Sequence, residues 1–182
     1  MVKPTEGLKN EHRVIERMLK LVWEGCDKLE RGESPDPSLF SGAADFFKNF
    51  ADRCHHAKEE KLLFEKMIER GMSRQTGPIA VMLSEHEIGR AHVRKINELA
   101  QKKLAGKAKT EMIDAGRGYV QLLSQHIKKE DNVLYPMADR MLTKDDQKQL
   151  EQGFEKVENE IMGPGVHEKY HRMIEEWERK LR

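Results

Sequence analysis

Apolar residues recur along this chain at steps of three and four, the spacing of one buried helical stripe, and never in the strict alternation of a strand. Val14, Ile15, Met18, Leu19, Val22 and Cys26 trace the first stripe. They predict a helix capped by Thr5 and running to about Arg31, where GESPDPS interrupts it. Pro37 and Ser38 suit the start of a second helix that reaches Gly71, a residue able to take the left-handed conformation at a C-terminus. A third is predicted from Pro78 to about Leu104, closed by Gly106, and a fourth from Thr110 to Leu142, with a kink or break at Pro136. Thr143, with Asp146 three residues later, opens a fifth helix to about Met162. GPG then marks a turn before a sixth, partly amphipathic helix. Four long helices on short connections predict an all-α, up-down four-helix bundle over residues 1–142. Residues 143–182 then form a C-terminal helical extension packed on the same domain.

The pattern breaks in an informative way where apolar positions give way to histidine and glutamate. CHHAKEEKLLF begins at Cys54, and HIKKEDNVLYP, beginning at His126, repeats its grammar. His55 matches His126, Glu59 matches Glu130, Leu63 matches Leu134 and Phe64 matches Tyr135. Residues four apart lie on one helix face, so each histidine and its glutamate can chelate a single metal. The carboxylate's second oxygen stays free to reach another metal, as in di-metal bundle cores. EHRVI at Glu11 and EHEIG at Glu85 add a histidine each from the first and third helices. His12 precedes His86 by 74 positions and His55 precedes His126 by 71, a near-equal offset that reads as a duplicated helical hairpin.

At about 1.5 Å per residue the first and second helices bring His12 and His55 level, and the third and fourth do the same for His86 and His126. The middle connection fits less well. His55 lies 16 residues before Gly71, whereas His86 follows Pro78 by only 8, so the loop climbs back or the two metals sit at different heights.

This arrangement resembles the hemerythrin-like, or HHE cation-binding, domain over roughly residues 5–142, with EH, HHAKEEKLLF, MLSEHEIGR and HIKKEDNVLYP in the family's order. The resemblance implies a four-helix bundle around a non-haem di-iron centre. It implies His12, His55, His86 and His126 as iron ligands and Glu59 and Glu130 as bridging carboxylates. Manganese or zinc are candidate substitutes for the two irons. The family's usual second histidine on the third helix is missing: four positions after His86 stands Arg90, and His92 points elsewhere. His56, rotated 100° from His55, is the candidate fifth histidine or else a hydrogen-bonding partner of a carboxylate. Without it one iron has an open position.

Other residues carry less. Glu60 is expected to face solvent or support a ligand, Cys54 to be a small buried hydrophobe, and the methionines to fill core. His167 and His171 share the i,i+4 spacing but have no carboxylate partner, which suits a solvated helix face.

Composition trims the functional classes. Charged residues make up 36% of the chain, yet its net charge is only +1, so there is no concentrated basic field for nucleic acid. No run is long enough for a membrane span and MVKPTEGLKN lacks the apolar core of a signal peptide. Two cysteines outside any CxxC pattern fit a reducing cytoplasm. The expected function is reversible binding or sensing of O2 or NO at a carboxylate-bridged di-iron centre. Leu63, Phe64, Leu134 and Tyr135 help to line the pocket. The alternatives are a di-iron enzyme acting on peroxide, O2 or NO, and an iron storage or donation protein. Relatives that repair iron–sulfur clusters commonly carry a cysteine-bearing N-terminal segment, and eleven residues precede His12 here, so that role ranks lower. The extension is a candidate surface for homodimerisation, though covering the bundle's end is the simpler expectation.

Overall fold

The computed structural model describes residues 3–163 and 165–181. Those residues contain no strand, and no helix is long and apolar enough to cross a membrane. Six helices follow one another: α1 (Pro4–Glu30), α2 (39–69), α3 (Gly77–Ala100), α4 (106–141), α5 (144–162) and α6 (Val166–Leu181). Pro164 of the expected GPG turn and Arg182 lie outside the described residues.

Several helix ends differ from expectation. Pro4 opens α1 with no hydrogen bond of its own to lose, so Thr5 is not the cap; its hydroxyl donates to Asp139 Oδ1 on α4 at 2.7 Å. Gly106 opens α4 with φ +51° instead of closing α3, which ends earlier at Ala100. Pro136 does not break α4. The turn before it, Glu130–Leu134, widens to i→i+5 hydrogen bonding, and that change of register accommodates a residue without an N–H. The box at Thr143 is as expected, with Asp146 N–H donating to Thr143 Oγ1 and the Asp146 carboxylate accepting from Thr143 N–H.

Neighbouring helices meet in opposite sequence order. Along α1 and α4, His12 meets Asp131 while Asp27 and Glu30 meet Arg117. Along α3 and α4, Glu85 meets His126 and Lys95 meets Glu111. Along α2 and α3, Asp52 meets Arg90 and Glu60 meets His86. Between α1 and α2, Glu11 reaches His55 while Gly25 lies against Leu39 and Phe40.

The interior has three layers. A large apolar cluster includes Val22, Phe46, Phe47, Ile96 and Met112. A smaller one includes Leu8, Phe64, Met67, Ile79 and Leu134. Buried histidines and glutamates lie in the slab between them. The last two helices lie along the flank of both clusters. Leu150 and Phe154 of α5 join the smaller one, while Tyr170, Ile174 and Trp177 of α6 join the larger. Gly42 is the close-approach point, since a Cβ there would overlap the Trp177 ring.

Candidate metal centre

All seven sequence candidates fall in the polar slab: His12, His55, His56, Glu59, His86, His126 and Glu130 are each at least nine-tenths buried. One donor atom apiece from His56, Glu59, His86 and His126 lies within 4.8 Å of the others, and the same holds for His12, His55, Glu59 and Glu130. Glu59 belongs to both sets. Glu130 faces both as well, with Oε2 3.2 Å from His12 Nε2 and Oε1 3.2 Å from His126 Nε2. The height question is settled by the stacking of His56 on His86, ring centroids 3.8 Å apart: the connection between α2 and α3 climbs back.

Wide turns help to place these groups. In α2, Phe47–His56 and Glu59–Leu63 have i→i+5 hydrogen bonding, and in α4 Glu130–Leu134 does. The two shared carboxylates therefore each start such a turn, at matching places in the repeat. Turns of this kind are rare inside α-helices and occur frequently at functional sites.

Every histidine of the slab donates from Nδ1 to a carboxylate. His55 donates to Glu11 (2.7 Å), His126 to Glu85 (2.9 Å), His12 to Asp131 (2.7 Å) and His86 to Glu60 (2.6 Å). His56 has a longer contact with Asp52, 3.4 Å. Although burial raises them, neighbouring histidines and cations hold Glu11, Glu60, Asp52 and Asp131 below their ordinary values; Glu11 reaches about 2. An ionised carboxylate only accepts, so each Nδ1 carries a proton and each Nε2 is the ring atom that faces inward. Such pairs fix the ring and make the imidazole a better metal donor.

The glutamate of each EH motif therefore serves a histidine on the next helix, and the acid after each shared carboxylate serves the histidine of another. Lysines complete both halves: Lys58 binds Glu11 and Lys129 binds Glu85. The sequence expectation for Glu60 as a support holds, but Glu11, Glu85, Asp131, Asp52 and the two lysines were not anticipated. The repeat itself held the signal, since both lysines immediately precede the shared glutamates and both EH acids recur. Arg90, standing where the family's usual fifth histidine would be, joins Asp52 at 2.8 Å and Glu60 at 2.7 Å. His92 points away, against Gly118.

The halves are not identical. Tyr135 stacks on His12 and donates its hydroxyl to Glu59 Oε1 at 2.6 Å, whereas its counterpart Phe64 stacks on His86 with no hydroxyl to offer. His56 has Ile127 as its counterpart.

The donor set fits cations. Glu59 Oε2 and both oxygens of Glu130 are buried and accept no hydrogen bond among the described residues, although histidine nitrogens lie close by. His86 Nε2 and His126 Nε2 face each other at 3.0 Å, lone pair towards lone pair when both rings are neutral. Burial and the neighbouring Glu130 hold the Glu59 carboxyl well above its ordinary range. Burial also drives His86 down to about 3 and His56 to about 4, the neutral state that ligation needs. Burial works against a charged His126 too, but Glu130 and Glu85 outweigh it and lift this ring to about 9, so a proton takes the cation's part there. Mixed imidazole and carboxylate donors suit iron or manganese.

A third group, Glu11, Cys54 and His167, also lies within 4.8 Å. The Lys58 ammonium already provides the positive charge there. His167 packs inward on Phe50 in place of the solvated position expected, and among the described residues His171 joins no such cluster.

The sequence model of the hemerythrin HHE cation-binding domain matches residues 3–138. An uncharacterized protein of Mycobacterium bovis is 25% identical over 167 residues, covering 89% of this chain and 64% of that protein. The iron-sulfur cluster repair protein YtfE of Salmonella newport is 33% identical over 143 residues, covering 71% of this chain and 60% of YtfE. The chain thus spans under two thirds of the length of either relative.

Proposed function

The chain belongs to the hemerythrin HHE cation-binding family, and on that footing we propose that it binds two non-haem irons and uses them to take up O2 or NO, for carriage or sensing in the cytoplasm. Residues 1–142 act as an up-down four-helix bundle and 143–182 as an extension of the same domain, with a second copy as a candidate partner through that extension. His56, His86 and His126 would hold one iron and His12 and His55 the other, with Glu59 and Glu130 as the carboxylates available to both. The observation that carries this reading is the set of three orphaned carboxylate oxygens among inward-facing histidine Nε2 atoms.

Bound, the two irons supply reversible electron transfer to a diatomic ligand. The chain's own contribution is positional. The two apolar clusters exclude water from either side of the slab. The outer carboxylates fix five rings, and the Tyr135 hydroxyl, which donates to Glu59 Oε1, lies 3.3 Å from His12 Nε2. The chain offers three histidines in one donor set and two in the other, so the second set is where a diatomic ligand would have room.

Iron donation is the second reading, favoured by the similarity to an iron-sulfur cluster repair protein. One experiment separates the two. The anaerobically reduced, iron-loaded protein is mixed with O2 in a stopped-flow cell and then evacuated. Reversal of the absorbance change with both irons retained supports carriage; irreversible consumption supports turnover, and loss of iron to a ferrous chelator supports donation. A chain that takes up no more than one metal ion ends the proposal.

A further inference from the structure

One side of the polar slab is connected to the extension by an unbroken series of hydrogen bonds. His55 Nδ1 donates to Glu11 Oε2 at 2.7 Å. The other oxygen, Glu11 Oε1, accepts from Lys58 Nζ at 2.5 Å, and Lys58 donates again to Glu158 Oε1 at 2.5 Å. Lys58 is 2% exposed, whereas the Glu158 side chain is 45% exposed, so the series runs from a candidate ligand to the surface. Glu158 begins the wide turn Glu158–Met162 at the end of α5, so the extension alone supplies it.

The repeat provides an internal contrast. His126, Glu85 and Lys129 form the matching series in the other half, but there the lysine is 42% exposed and, among the described residues, has no second carboxylate beyond Glu85. The extension covers one half and leaves the other open.

From this asymmetry we infer that Glu158 is a positioning residue for the metal centre, acting through Lys58 and Glu11 on His55; the inference rests on the di-iron reading above. A buried ammonium needs its charge compensated. With Glu158 in place, Lys58 divides its attraction between two carboxylates, and Glu11 remains a strong acceptor for His55. Without Glu158, Lys58 turns wholly onto Glu11, the Glu11–His55 bond weakens, and the imidazole becomes a poorer donor to metal. The last helices therefore do more than cover the bundle: the Glu158 carboxylate that α5 supplies sets how well His55 binds iron.

The test uses the full chain and ferrous iron, under anaerobic competition with a chromophoric ferrous chelator. Replacing the hydrogen-bonding partner of a ligand typically lowers metal affinity by about 10–100-fold. One link further out, Glu158→Ala is expected to weaken the tighter iron by about 3–10-fold, and Lys58→Met by more. Glu158→Asp, which keeps the charge, should recover most of the loss. Arg70→Ala, which releases α5 from the Arg70–Asp146 pair far from the series, should leave affinity within about twofold. A second readout needs no metal: the His55 Nδ1–H proton resonance should move in Glu158→Ala and stay in place in Arg70→Ala. Parental affinity in Glu158→Ala, or an equal loss in Arg70→Ala, overturns the inference while leaving the di-iron reading intact. A parent chain without two irons overturns both.

Discussion

Glu11 is bonded covalently to His12, yet its carboxylate accepts a hydrogen bond from His55, 2.7 Å away on the neighbouring helix. Glu85 does the same, passing over His86 to hold His126 at 2.9 Å. Each EH pair thus divides its labour, the histidine facing the centre and the acid steadying a ring on another rod. Four helices are tied together by the same groups that would hold the metals.

Glu59→Ala and Glu130→Ala should each reduce bound iron from two per chain to one or none, because Glu59 belongs to both donor sets and Glu130 faces a histidine of each. Glu60→Ala should keep two irons at saturation while weakening affinity about 10–100-fold, as its oxygen only steadies His86. Iron analysis after gel filtration tests this. Equal losses in all three would assign the wrong carboxylates to the centre.

Metal binding should stabilise the fold markedly. Three buried oxygens without hydrogen bonds cost the metal-free chain stability that a cation restores. At free ferrous iron of 100 to 1,000 times Kd, linkage adds about 3–4 kcal/mol per site. For a domain of this size that raises Tm by roughly 6–15 °C. Scanning calorimetry with and without a chelator measures the difference, and an unchanged Tm would speak against a site here.

Acid should destabilise the metal-free chain through Glu11. Its folded-state pKa of about 2 lies below the ordinary 4.5, so its stabilising contribution is complete above pH 4.5 and fades as pH falls towards 2. The full span is worth about 3 kcal/mol. Urea unfolding of Glu11→Gln should show a shallower loss of stability than the parent over that window. Parallel curves would mean that the ion pair with Lys58 contributes little.

Docking of α6 should depend on the fit of Trp177 over Gly42. Trp177→Ala is expected to cost about 3–5 kcal/mol and Gly42→Ala about 1–3 kcal/mol, the first by a cavity and the second by overlap. If the two ends of the extension act separately, neither should affect iron affinity as Glu158→Ala does. Denaturant titrations beside the chelator competition decide this.

Read as a string, the residues settled which segments are helices and which histidines and acids share a face. Both depend on spacing within one helix, where 3.6 residues per turn leaves no freedom. His55 with Glu59 and His126 with Glu130 were legible for that reason, and their duplication implied two sets of donors. Partners across helices were not legible. Which acid meets which Nδ1, that Arg90 joins Asp52 to Glu60, and that Glu158 closes over Lys58 follow from how far one rod slides and rotates against another. The wide turns at Glu59 and Glu130, and the unbroken path of α4 through Pro136, arise from the same source. Local propensity disfavours them, and they form where the helices pack around the buried carboxylates.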